Sequence, residues 1–82
     1  MREGLLWYDK DPNRQLADKI NRAAERYQAK LRHKPTICYL SVEDYDDKIK
    51  EVNGILLKPV NNIRPHHFLI GVEQTTRTAK TN

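Results

Sequence analysis

Lys19, Arg22, Arg26 and Lys30 recur at spacings of three and four residues. On a helix, which turns about 100° per residue, they fall on one flank, and His33 continues the line. A row of that kind meets phosphates or carboxylates, each cation neutralising one charge, so its chemistry is anion binding. The partner would be nucleic acid or an acidic protein surface. Arg2, Lys34, Arg77 and Lys80 would extend the row from its ends. A structural explanation also exists: long cationic side chains lay their stems along the rim of a core and keep their heads in water. Asp18, four residues before Arg22, and Glu25, three after it, are spaced to pair with the row internally. There is no helix-turn-helix pair, zinc-finger spacing or aromatic RNA-binding signature beside it.

A second set of groups has acid–base or metal-binding chemistry. Asp9 and Asp11 stand where a first strand should end, the end at which open α/β sheets take ligands. Two carboxylates there suit Mg²⁺ and phosphate. His66 or His67 would supply a general base or a metal ligand. Together they make the alternative reading, a small enzyme or metal-dependent protein. Against it, no paired-cysteine or paired-histidine motif accompanies these residues, and the connection lacks a phosphate-cradling glycine loop. Helix capping accounts for Asp11 without a ligand. No catalytic residue, metal site or cofactor is therefore assigned. Glu43, Asp44, Asp46 and Asp47 read as the acidic opening of a helix. Trp7, Tyr8 and Phe68 read as core aromatics, since a base-stacking platform needs them exposed on one face.

The elements that position these groups follow from spacing. Gly4–Tyr8 is short, apolar and aromatic, which predicts a buried strand. Asp11 and Pro12 predict a helix start. Leu16, Ile20, Ala23, Ala24, Tyr27 and Leu31 mark one apolar face of that helix, which Pro35 forces to end near Leu31 or Arg32. Thr36–Leu40 is a second strand, parallel to the first through a right-handed crossover. Ser41 with Asp44, then Val42, Tyr45, Ile49 and Val52, predict a second, shorter helix stopped by Asn53-Gly54. Ile55–Leu57 starts a third strand, ended early or kept at an edge by Pro59. His67–Val72 is the fourth strand, forming a loose hairpin with the third.

Composition bounds the whole. A chain of 82 residues makes one domain, here 1–73, followed by a polar, disordered tail at 74–82. Charged residues are 32% and hydrophobic ones 38%, the latter patterned, so the class is a folded and highly solvated domain rather than a disordered one. Net charge is +4 and the pI about 9.4, a mild basic excess. The single cysteine, Cys38, excludes an internal disulfide and reads as a small buried hydrophobe. Neither a signal-peptide apolar region nor a membrane span is visible, and the expected setting is the cytoplasm.

The predicted architecture is α+β (or α/β), a single two-layer domain of order β-α-β-α-β-β. Its four-stranded mixed sheet packs against one long and one short helix. The triplets Leu5-Leu6-Trp7 and Phe68-Leu69-Ile70 are too apolar for a sheet with one wet face. Either the second helix covers the far face or two chains pack sheet to sheet, as a homodimer. Gly4-Leu5-Leu6-Trp7-Tyr8-Asp9, Asp11-Pro12 and the Ala- and Arg-rich helix, with His66-His67-Phe68 and Gly71-Val72-Glu73, resemble a family of short uncharacterised prokaryotic proteins of unknown function. The resemblance spans roughly residues 4–73. It implies a prokaryotic, mobile-element setting and carries no functional residue across. The expected function is that of a small non-enzymatic interaction domain.

Overall fold

Gly4–Tyr8 forms strand β1. Its burial alternates, because successive side chains point to opposite faces and only one face packs on the helix: Leu5 and Trp7 pack inward, while Leu6 and Tyr8 face out at 61% and 53% exposure. The structure, a computed structural model, describes residues 4–73. The expected tail at 74–82 lies outside them, as do Arg2, Arg77 and Lys80.

Helix α1 spans Leu16–Leu31 and starts later than Asp11 and Pro12 predict. Asp11 Oδ1 accepts the Asn13 amide at 2.9 Å, and the Asp11 carbonyl accepts that of Arg14 at 3.2 Å. That local turn outcompetes the first helical turn, so Gln15 becomes the N-cap, without a side-chain cap bond. At the other end Arg32 turns left-handed (φ 68°) and its amide donates to the Gln28 carbonyl, closing the helix where expected. Ile20, Ala23 and Tyr27 are its fully buried residues.

The remaining strands are β2 (Ile37–Ser41), β3 (Glu51–Val52), β4 (Ile55–Val60) and β5 (His67–Gly71). The mixed five-stranded sheet has the order β1-β5-β2-β4-β3. β1 and β2 are both antiparallel to β5, hence parallel to each other, with β5 inserted between them. This is an α+β domain with one helix, and its sheet has five strands rather than the expected four, because Glu51–Val52 pairs with β4 as a strand of its own.

The second helix does not form. Ser41 Oγ accepts the Glu43 amide and Asp46 Oδ1 the Lys48 amide, both at 3.0 Å, so side chains take the donors a helix would use. Glu43, Asp44, Asp46 and Asp47 therefore lie in turns and irregular chain, not in a helical first turn. Tyr45 and Ile49 still pack against the core, but from irregular chain. Asn53-Gly54 is not a helix stop. Both residues have positive φ (50° and 82°), the signature of a tight hairpin turn, and they join β3 to β4.

The third and fourth predicted strands, now β4 and β5, do not pair. β2 lies between them, parallel to β4 and antiparallel to β5. Pro59 sits in β4 opposite Leu40, but its nitrogen is on the outer side of β4, where β3 reaches only Ile55 and Leu56, so no strand needs the donor proline lacks.

The register sorts the sheet into two faces. Leu5, Ile70, Cys38 and Leu57 align across one row, and Trp7, Phe68, Leu40 and Pro59 across another; these rows face α1. Fully burying side chains such as Phe68 and Ile70 contributes about 1.5–3 kcal/mol each. On the opposite face Leu6, Leu69, Tyr39 and Lys58 align, and no helix covers them. No helix of the described residues is long and apolar enough to cross a membrane.

Candidate functional site

Two flanks of α1 meet different neighbours. Asn21, Ala24 and Gln28 face the β3–β4 hairpin, bordering a depression of about 670 Å³ with Asn53 and Ile55. Asn53 Nδ2 donates to Asn21 Oδ1 at 2.6 Å and ties the hairpin to the helix. The other flank is the cationic one. Arg22 and Arg26 border a depression of about 330 Å³ with Trp7, Glu25 and Ala29, which places them over the β1 edge of the sheet.

Lys19 is half-exposed and acts on Asp9, while Arg22, Arg26 and Lys30 are exposed. Among the described residues no carboxylate lies within ion-pair distance of any of the four, so the spacing of Asp18 and Glu25 to Arg22 produces no pair. His33 is exposed, its ring edge-on to Tyr27 with centroids 5.3 Å apart. Lys34 belongs to the opposite flank, in the depression with Asn21 and Gln28.

Trp7 is the residue that sequence reasoning left out of this site. It shares the helix-facing row with Phe68, which is fully buried, so no aromatic platform exists there. The indole ring itself reaches the cationic flank. Its Nε1 is shielded from solvent with no hydrogen-bond partner among the described residues. The signal was available only as position: an inward residue of an edge strand must abut whichever helix flank overhangs that edge.

The acid–base candidates gather just beyond the C-terminal end of β1. The Asp9 amide donates to the His66 carbonyl at 2.9 Å, so the two segments are indeed neighbours. Their side chains are otherwise engaged. Asp9 Oδ1 accepts the Asp11 amide and Oδ2 accepts Arg14 Nη1, each at 3.0 Å. Arg14 Nη2 also lies 3.6 Å from Asp11 Oδ2. Burial alone would push the Asp9 pKa up; the Asp11 amide, Arg14 and Lys19 outweigh it and hold the carboxyl below its ordinary value.

His66 lies in the turn before β5 and His67 opens the strand. Pro65 and then His66 at φ 72° follow the type II pattern, with the His67 amide donating back to the Arg64 carbonyl at 3.2 Å. Asp44 Oδ2 accepts the His66 amide at 2.6 Å and steadies that conformation. His67 Nδ1 lies 3.0 Å from the Pro65 carbonyl, and its ring tilts against Tyr8. Among the described residues no three histidine, cysteine or acidic side chains are grouped to hold a metal ion.

No protein-family model matches the chain, and neither a curated protein nor a solved structure resembles it. The site has to be read from its own geometry. The described cationic side chains divide by partner: Arg14 is spent on Asp9 and Asp11, whereas Arg22, Arg26 and Lys30 are spent on nothing within the described residues.

Proposed function

We propose that the chain is a small non-enzymatic interaction domain whose basic helix flank, Lys19, Arg22, Arg26 and Lys30, binds an anionic partner. The observation that supports this reading is that no acid among the described residues lies within ion-pair distance of Arg22, Arg26 or Lys30, although Glu25 borders the same depression as the two arginines. An exposed pair would have been worth little, so the unpaired row costs the fold little and remains available. The reading that uses Asp9, Asp11 and the histidines has less support, because both Asp9 oxygens are already occupied.

The test is binding of duplex DNA, RNA and polyglutamate at low and moderate salt. Affinity that falls steeply as salt rises is expected, because ion release drives such contacts. Reversing Arg22 and Arg26 together to glutamate should abolish it while leaving the fold intact. Retained affinity in that variant would clear the flank of the role.

Self-association is a second reading, favoured by the sheet face that no helix covers, where Leu6, Tyr8 and Leu56 are exposed although Ile37 between them is buried. Sedimentation should then show a dimer that Leu6→Lys converts to a monomer. A monomer at every concentration would dispose of it.

A further inference from the structure

The two edges of the sheet are unlike. β3 closes one edge with only two residues, Glu51 and Val52. β1 closes the other with five, Gly4–Tyr8, and carries neither proline nor charge. Short length, proline and charge are the usual means of keeping an edge from pairing. β1 has none of them, and no other strand of the described residues pairs with its outer side. Along the helix side of this open edge run the unpaired Arg22 and Arg26, while the other side carries a single cation, Arg64, beside Leu6. Arg22 and Arg26 share a depression with Trp7, an inward residue of the same strand, and with Glu25, which forms no ion pair with either arginine. On the opposite side the same strand presents Leu6 and Tyr8 to solvent. Leu6 also borders a depression of about 340 Å³ closed by Ile63, Arg64 and His67.

From this juxtaposition we infer that β1 accepts an extended acidic polypeptide as a sixth strand, with Arg22 and Arg26 binding its carboxylates. The inference rests on the anionic-partner reading and gives that partner a chemistry. The incoming backbone satisfies the free amides and carbonyls of β1, which supplies affinity without sequence preference. Side chains of a strand alternate between faces. Those on the helix side meet Arg22 and Arg26 and are glutamate or aspartate; those on the other side lie against Leu6 and Tyr8 and are apolar. The partner segment therefore alternates acid with aliphatic residues. A nucleic acid has the charge but no row of backbone donors and acceptors to match the edge. A second copy of this chain has the backbone but not the charge, since pairing β1 with β1 sets two cationic flanks against each other.

The test uses the full chain and a short peptide alternating glutamate and valine, read by the fluorescence of Trp7, the only tryptophan. Binding should shift the emission. Methylating alternate backbone nitrogens of the peptide, in the phase that blocks donation to β1, should weaken binding about tenfold or more. Arg22→Glu with Arg26→Glu should weaken the unmodified peptide similarly, while Lys34→Glu on the far flank changes it little. Equal binding of the peptides methylated in either phase overturns strand addition and leaves a charge-only contact at the flank. So does binding of DNA with none of the peptide. A complex that persists in the Arg22→Glu, Arg26→Glu variant overturns the assignment of the carboxylates. If no polyanion binds at all, the parent reading fails together with this one.

Discussion

Arg14 Nη1 donates to Asp9 Oδ2 at 3.0 Å, and the carboxylate that receives it is only 7% exposed. This pair closes the connection between β1 and α1, with the Asp11 amide on the other carboxylate oxygen. An acid that looked suited to binding a cation from outside is neutralised by one from the same loop. Asp9→Asn should lower stability by about 1–3 kcal/mol, the usual loss when a buried charged hydrogen bond is broken, read as a lower urea midpoint. An unchanged midpoint would mean that the loop holds without the charge.

The same carboxyl has a pH signature. Its folded pKa is held below the ordinary value of 3.8, so its ionised form is favoured by folding. The stabilisation is complete above that ordinary value and is lost as pH falls through the lower folded value. Melting curves taken from about pH 6 down to about pH 3 should show the native chain losing more stability than Asp9→Asn. Parallel curves for the two proteins would contradict the assignment.

His66 stands where a type II turn favours glycine, at φ 72°. Asp44 Oδ2 accepts the His66 backbone amide at 2.6 Å, a bond that survives a change of side chain, and the ring Nδ1 lies only at 4.0 Å from Asp44 Oδ1, so its loss costs little. His66→Gly should relieve the left-handed strain and raise stability by about 0.5–1 kcal/mol. Gly54→Ala should do the reverse, by about 1 kcal/mol. An added Cβ at Gly54 meets nothing within 4 Å, so backbone conformation at φ 82° is the whole cost. A loss for the first variant or a gain for the second would show that φ does not govern these turns.

Cys38 is fully buried, and burial raises its pKa from 9.0 to about 12. Only the thiolate is nucleophilic, so a disulfide reagent should label Cys38 no faster than the chain unfolds. Labelling that outpaces unfolding, followed by circular dichroism, would place the thiol in reach of solvent.

The two sheet faces should respond oppositely to substitution. Phe68→Ala empties a fully buried site facing α1 and should cost about 3–5 kcal/mol. Leu6→Lys, on the uncovered face at 61% exposure, should change monomer stability by no more than about 0.5 kcal/mol. A large loss at Leu6 would show that its side chain is covered in the native protein.

Local signals were readable wherever one mechanism acts alone. Gly4–Tyr8 forms a strand and Leu31 ends a helix because apolar runs and a nearby proline admit few alternatives. The cationic alignment of Lys19, Arg22, Arg26 and Lys30 is arithmetic on a helical period and needs no fold to state. Reading failed where two local mechanisms compete. Val42, Tyr45, Ile49 and Val52 have helical spacing, yet Ser41 and Asp46 bind the neighbouring amides first. Asn53-Gly54 serves a helix end or a hairpin equally well until a partner strand is present.

Which neighbour each surface meets was settled in three dimensions. Inserting β5 between β1 and β2 pairs strands from opposite ends of the chain and leaves β1 at an edge, an arrangement no nearest-neighbour pattern encodes. That placement brings Trp7 beside Arg22 and Arg26, and turns Asn21 toward Asn53. Residue types and periodicity determine what a helix flank or strand face can bind. Long-range strand order determines what lies next to it, because hydrogen-bonded pairing between distant segments depends on the whole chain's packing.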